Sequence, residues 1–286
     1  MKTLLPRIAA GLLVTVLSAQ TLFAGPEANR IKITYELPEN PAHTSVYEDV
    51  KEHKVLERLQ EFFSPFRLVI PVEILMVDCG GDPDAEYGDG QILICYEFVG
   101  ALIENMPDET TSGGIEPADT VIGPFFDTAL HEFSHALFDM FYTPIFGREE
   151  DAADQLAAYL YLQLGEVEAR RLILGTAYNY LIVETNDDDS PLSKEEFIED
   201  SAESHSLPAQ RAYNLLCMAY GANPKLFGDL VSNGHLPEER AEVCQEEYEQ
   251  VQQAFSDLIE PHIDADLAKE VFDRSWIRAP EKGRWK

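Results

Sequence analysis

Two histidines four residues apart, in His131-Glu132-Phe133-Ser134-His135, constrain this chain more than any other feature. An α-helix puts positions i and i+4 on one face, about 6 Å apart along its axis, where both imidazoles reach one metal ion. Leu130, Ala136, Leu137 and Phe138 around them are apolar, so the spacing predicts a buried helix over about residues 125–142. Glu132 projects beside the metal position, where a carboxylate can take a proton from water. Two ligands do not make a catalytic site, so a third must come from elsewhere in the chain.

Glu150 is the expected third ligand. Pro144 and Gly147 break the first helix and a second begins near Glu149, which lets the chain reverse and return a carboxylate to the metal. Glu150 is followed four positions later by Asp154. An acid pair at i and i+4 shares a helix face. The first can therefore ligate, while the second accepts a hydrogen bond from a ligand histidine and fixes its tautomer. Glu149 competes, but the residue four positions after it is Ala153. Two histidines and a glutamate leave the fourth position of tetrahedral zinc open to water, which suits a catalytic site better than a structural one. The expected chemistry is hydrolysis. Zn2+ lowers the pKa of its water and polarises a carbonyl, and Glu132 acts as general base and returns the proton to a leaving amine.

The N-terminus predicts the compartment. Lys2 and Arg7 precede an apolar run from Ile8 to Leu17, and small and polar residues follow up to Ala24. That is the layout of a secretory signal peptide, residues 1–24, with a run too short to span a bilayer. The mature chain is expected to be secreted or periplasmic, without stable membrane insertion. The leader holds two of the 21 basic residues and none of the 52 acids, which leaves a balance of −33. A surface this acidic repels nucleic acid, and a hydrophobic content of 45% separates the chain from acidic disordered sequences. Four cysteines in an oxidising compartment permit three pairings, and proximity favours Cys79–Cys95 and Cys217–Cys244.

Periodicity divides the rest. Ile31 to Leu37, Leu68 to Val77 and Gln91 to Val99 read as strands, and Val46 to Phe63 as a helix. Residues 79–90 are dense in turn formers. Beyond the metal-site helix, further helices are expected over about 149–164, 166–184, 194–203, 208–220, 223–231 and 237–260, with a capping box at Ser193 and Glu196. The expected class is α+β: one domain over residues 25–286, with a small β-sheet and a helix in 25–123 and a mostly helical region in 124–286 that carries the metal residues.

Four blocks also carry a resemblance: His131 to His135, Gly147 to Leu156, Ser204 to Arg211 and Leu236 to Ala241. Together they resemble an uncharacterised bacterial family of zinc metallopeptidases over roughly residues 30–275. Their ligand spacing is similar to that of the gluzincins, whose third ligand is a glutamate. The resemblance implies a zincin-like region acting on a peptide or protein substrate, without identifying which. It also implies a downstream His, Tyr or Arg that stabilises the oxyanion. His205 is the matching residue, just before the helix near Pro208 with Asp200 and Glu203 close in sequence; Arg211 and Tyr213 are the alternatives. The competing expectation is a secreted binding protein that keeps the fold without activity. The presence of ligands, base and supporting acid favours the enzyme.

Overall fold

Alternating apolar residues build a four-stranded sheet from β1 (Ile31–Tyr35), β2 (Val72–Val77), β3 (Ala85–Gly88) and β4 (Gln91–Cys95). The computed structural model describes residues 30–186 and 201–277, with side chains for 30–182 and 201–277. The expected signal peptide, the Ser193–Glu196 capping box, Asp200 and most of the expected helix 194–203 lie outside the described residues. The strand order is β1-β2-β4-β3; β1, β2 and β4 run parallel, and β3 closes the edge antiparallel to β4. Ile74 pairs with Ile92, which aligns Val72, Ile74 and Met76 with Ile92 and Ile94 on one buried face.

Several boundaries differ from the sequence expectation, each for a local reason. The expected helix 46–63 is two helices, α1 (Thr44–Glu52) and α2 (Val55–Phe62), broken at Lys54, which is left-handed at φ 53°. At 3.6 residues per turn, Val46 and Val50 would lie roughly opposite Leu59 and Phe62 on a straight helix; the break lets all four be buried. The third strand stops at Cys95 and continues as α3 (Tyr96–Glu104), where Tyr96, Val99 and Leu102 recur at a helical spacing of three and are the buried residues. Inside the turn-rich stretch, β3 is an additional strand. Asp89 and Gly90, at φ 50° and 80°, form the two-residue loop that returns it into β4. Asp-Gly with both residues left-handed matches a type I′ hairpin turn.

The helical layer begins earlier than expected. α4 (Asp119–Phe141) contains Pro124 within it, although a proline reads as a helix start. Packing overrides it: Asp119, Thr120, Val121 and Gly123 are all buried. Gly123 lies against α6 (Glu166–Asn186), where an added Cβ would come 2.7 Å from the Leu172 carbonyl oxygen. α5 (Glu149–Tyr161) packs on α4. α7 (Pro208–Ala222) packs on α5 and α6, and α9 (Glu238–Leu258) covers α7. α8 is short (Gly228–Ser232), later than the expected 223–231. An unexpected α10 (Ala265–Phe272) is N-capped by Asp264, whose side chain accepts from the Leu267 N–H at 3.1 Å.

The class is α+β, a small sheet followed by a mostly helical region. Phe133, inside the histidine motif, joins the two: it stacks on Phe63 at 3.9 Å and meets Phe66 edge-on at 5.1 Å. Disulfides link Cys79 to Cys95 and Cys217 to Cys244, the pairing that proximity favours. Among the described residues no helix is long and apolar enough to cross a membrane.

Candidate metal centre

α4 presents His131 and His135 one turn apart, and the reversal through Pro144 and Gly147 lets α5 face them with its acidic first turn, Glu149, Glu150 and Asp151. Three ligand-type atoms converge. Glu150 Oε2 lies 3.0 Å from His131 Nε2 and 3.2 Å from His135 Nε2, and the two nitrogens are 3.1 Å apart. Each imidazole is held from behind by a carboxylate: Asp154 Oδ1 is 2.7 Å from His131 Nδ1, and Glu149 Oε1 is 2.9 Å from His135 Nδ1. A carboxylate only accepts, so each Nδ1 donates, and in the neutral ring Nε2 then carries the lone pair. Three acceptors facing one another favour a cation between them. A proton on His131 can serve as that cation: burial opposes the charge, yet Asp154 and Glu150 outweigh it and raise the His131 pKa to about 9. The same three residues, His131, His135 and Glu150, form a candidate metal site.

Glu132 is buried on the same helix, next to the edge strand, where the Tyr87 backbone N–H donates to it. Burial pushes its carboxyl up to about 7, against the pull of His131 and His135. That value places it near the pKa of an efficient general base at neutral pH.

His205 reaches the cluster from the segment before α7. Its Nε2 is 2.9 Å from Glu150 Oε2, and its ring lies along that of His131 with centroids 5.6 Å apart. Burial, set against the neighbouring Glu150 charge, leaves its pKa below the ordinary histidine value. Two contacts pin this segment to the start of α5: Arg148 donates to the His205 carbonyl at 3.2 Å, and Ser206 Oγ to Asp151 at 2.6 Å.

The other two oxyanion candidates lie elsewhere. Arg211 stands behind the cluster, forked onto Asp154 at 2.8 and 2.6 Å, with its guanidinium over the Tyr180 ring. Tyr213 is partly exposed and makes no hydrogen bond to any of these residues. Deeper still, Asp127 accepts from Tyr161 at 3.0 Å and Tyr180 at 2.8 Å.

Sequence reasoning did not anticipate the supporting roles of Glu149, Arg148, Ser206 and Arg211. Glu149 was legible in principle: two candidate ligand imidazoles call for two Nδ1 acceptors, and Asp154 supplies one. The others depend on long-range docking. A family model, DUF4344, described as “Putative metallopeptidase”, matches residues 35–259. No curated protein and no solved structure gives a match.

Proposed function

The chain belongs to that metallopeptidase family, and from this premise we propose that it is a secreted or periplasmic zinc peptidase of gluzincin type. His131, His135 and Glu150 would hold the ion. Tetrahedral zinc, with bonds of about 2.0–2.2 Å, sets its ligand atoms roughly 3.3–3.5 Å apart. The observed separations of 3.0, 3.1 and 3.2 Å fall slightly short of that spacing, so small outward movements would admit the ion. Two imidazoles and one carboxylate also suit zinc better than calcium or magnesium. This convergence, with a carboxylate behind each imidazole, is the observation that carries the proposal. The two disulfides fit an oxidising compartment.

Bound zinc supplies Lewis acidity, which polarises the scissile carbonyl and acidifies water. Glu132 takes the proton from the attacking water and hands it to the departing amine. His205 donates from Nε2 to the oxygen that gains charge. Its Nδ1 lies 3.5 Å from Ser204 Oγ, a hydroxyl that can donate to it and leave the ring proton on Nε2. Asp154 and Glu149 fix the orientation of the two ligand imidazoles.

Glu132→Gln tests the assignment. The purified variant is expected to retain one equivalent of zinc by elemental analysis and the wild-type melting temperature. Against a mixed peptide library read by mass spectrometry, its hydrolysis should fall at least about 100-fold. Equal turnover by wild type and variant would sink the general-base assignment, and a chain that binds no divalent metal after zinc reconstitution would sink the zinc site.

A further inference from the structure

A second site lies away from the candidate metal centre. Val50 of α1, Leu59 of α2, Ile103 of α3, Val121 and Phe125 of α4 and Leu172 of α6 wall an apolar cavity of about 280 Å³ that opens to solvent. None of His131, Glu132, His135, Glu150 or His205 lines it. Close-packed interiors rarely leave apolar voids larger than a water molecule. An apolar lining also gives water few partners, so water is a poor occupant.

The wall near the C-terminal end of the described chain is built and held in place. Glu168 of α6, itself buried, accepts from the Ser275 hydroxyl at 2.8 Å and from the Trp276 and Ile277 N–H groups at 2.7 and 3.0 Å. Trp276 and Ile277 line the cavity, and the Trp276 carbonyl accepts from Arg58 Nη1 at 2.9 Å. The cavity is therefore bounded by hydrogen-bonded structure on this side.

Its polar lining is basic in an acidic protein. Arg58, Arg171 and His53 line the cavity with one acid, Asp49, in a chain of net charge −31. Arg171 is committed to Asp119 at 2.6 Å. Arg58 has no carboxylate partner among the described residues. Among the described residues its side chain makes one hydrogen bond, to the Trp276 carbonyl, which uses a single one of the five N–H donors of a guanidinium. A half-buried arginine with no carboxylate partner among the described residues, beside an apolar chamber, matches a ligand with an apolar tail and an anionic head.

The geometry points to a binding site for a single-chain amphiphile, a medium-chain fatty carboxylate, with its tail in the cavity and its head on Arg58. An apolar cavity of about 150 Å³ holds benzene, so 280 Å³ has room for roughly ten carbons.

The test uses the purified full chain stripped of lipid, with decanoate as probe and isothermal titration calorimetry in about 0.15 M salt, where the protein's overall negative field is screened. Decyltrimethylammonium, of equal tail length and opposite charge, is the control. Decanoate is expected to saturate at one equivalent and to bind at least tenfold more tightly than the cation. Arg58→Gln should weaken decanoate about tenfold and leave the cation unchanged. Ile103→Trp, or Val121→Phe if the first variant misfolds, should fill the space and abolish decanoate binding, with zinc content and melting temperature as controls for folding. Non-saturable binding, equal affinity for both probes, or full decanoate affinity in a folded cavity-filling variant would each overturn the assignment. So would failure of the lipid-free chain to bind decanoate at all.

Discussion

Replacing Arg211 with Met separates a structural role behind the metal centre from a role at the substrate. The guanidinium forks onto Asp154 at 2.8 and 2.6 Å, and the pair is about four-fifths buried, with side-chain exposures of 19% and 18%. Its charge also acts on Asp127, which burial pushes up and Arg211 pulls down. Methionine fills much of the same volume but leaves the Asp154 carboxylate without that cation. At an effective dielectric near 20, a charge pair such as Arg211–Asp154, taken at about 4 Å, is worth roughly 4 kcal/mol before desolvation. Breaking one partner of a buried pair costs about 3–5 kcal/mol. For a chain of this size that lowers Tm by about 2–4 °C per kcal/mol, or roughly 6–20 °C in all. The assay is urea unfolding of the metal-free protein, run as a double-mutant cycle with Asp154→Asn. The double variant should recover part of the loss, with a coupling of at least about 1 kcal/mol. At the proposed zinc site, chelator competition should show the ion held about 10–100-fold more weakly by Arg211→Met, because Asp154 no longer orients His131 firmly. A variant with unchanged stability and zinc affinity but reduced hydrolysis would refute this reasoning and place Arg211 on the substrate.

Two further outcomes test how the scaffold holds the site. At Gly175 an added Cβ would fall on the Asp119 backbone carbonyl of α4, well inside contact distance. Gly175→Ala should therefore destabilise by at least about 2 kcal/mol in urea unfolding, whereas the same change in an exposed helix would stabilise by up to about 1 kcal/mol. Burial raises the Glu97 carboxyl, but the backbone N–H groups of Gly81 and Cys79 outweigh it and hold the pKa below the ordinary value. A depressed folded-state pKa gives stability that is present above the unfolded value of about 4.3 and is lost as pH falls. The deficit of Glu97→Gln should accordingly be largest near pH 7 and shrink toward pH 3.5, and an equal deficit at both would contradict it.

The parts of this protein legible in its sequence are those fixed along one element. His131 and His135 are placed relative to each other by helix geometry, as are Glu150 and Asp154, and a short reversal through Pro144 and Gly147 brings the two faces together. Nearest-neighbour pairing likewise recovers both disulfides, because each closes a short loop of 16 or 27 residues. The misses share a different character. A four-residue edge strand, Ala85–Gly88, offers too little alternation to stand out, although its Asp89–Gly90 turn was a usable cue. The start of α4 at Asp119 depends on α6, because only partner packing makes a helix carrying Gly123 and Pro124 worth forming. The approach of His205 depends on Arg148 and Ser206 reaching across more than 50 residues of sequence. Local periodicity thus specified which residues could share a metal ion, while the contacts that orient them had to come from elements distant in sequence. That division explains why Arg211, an alternative to His205 for the oxyanion in the sequence, lies behind Asp154: its place relative to the cluster is set by the packing of α7 on α5, which no single helix encodes.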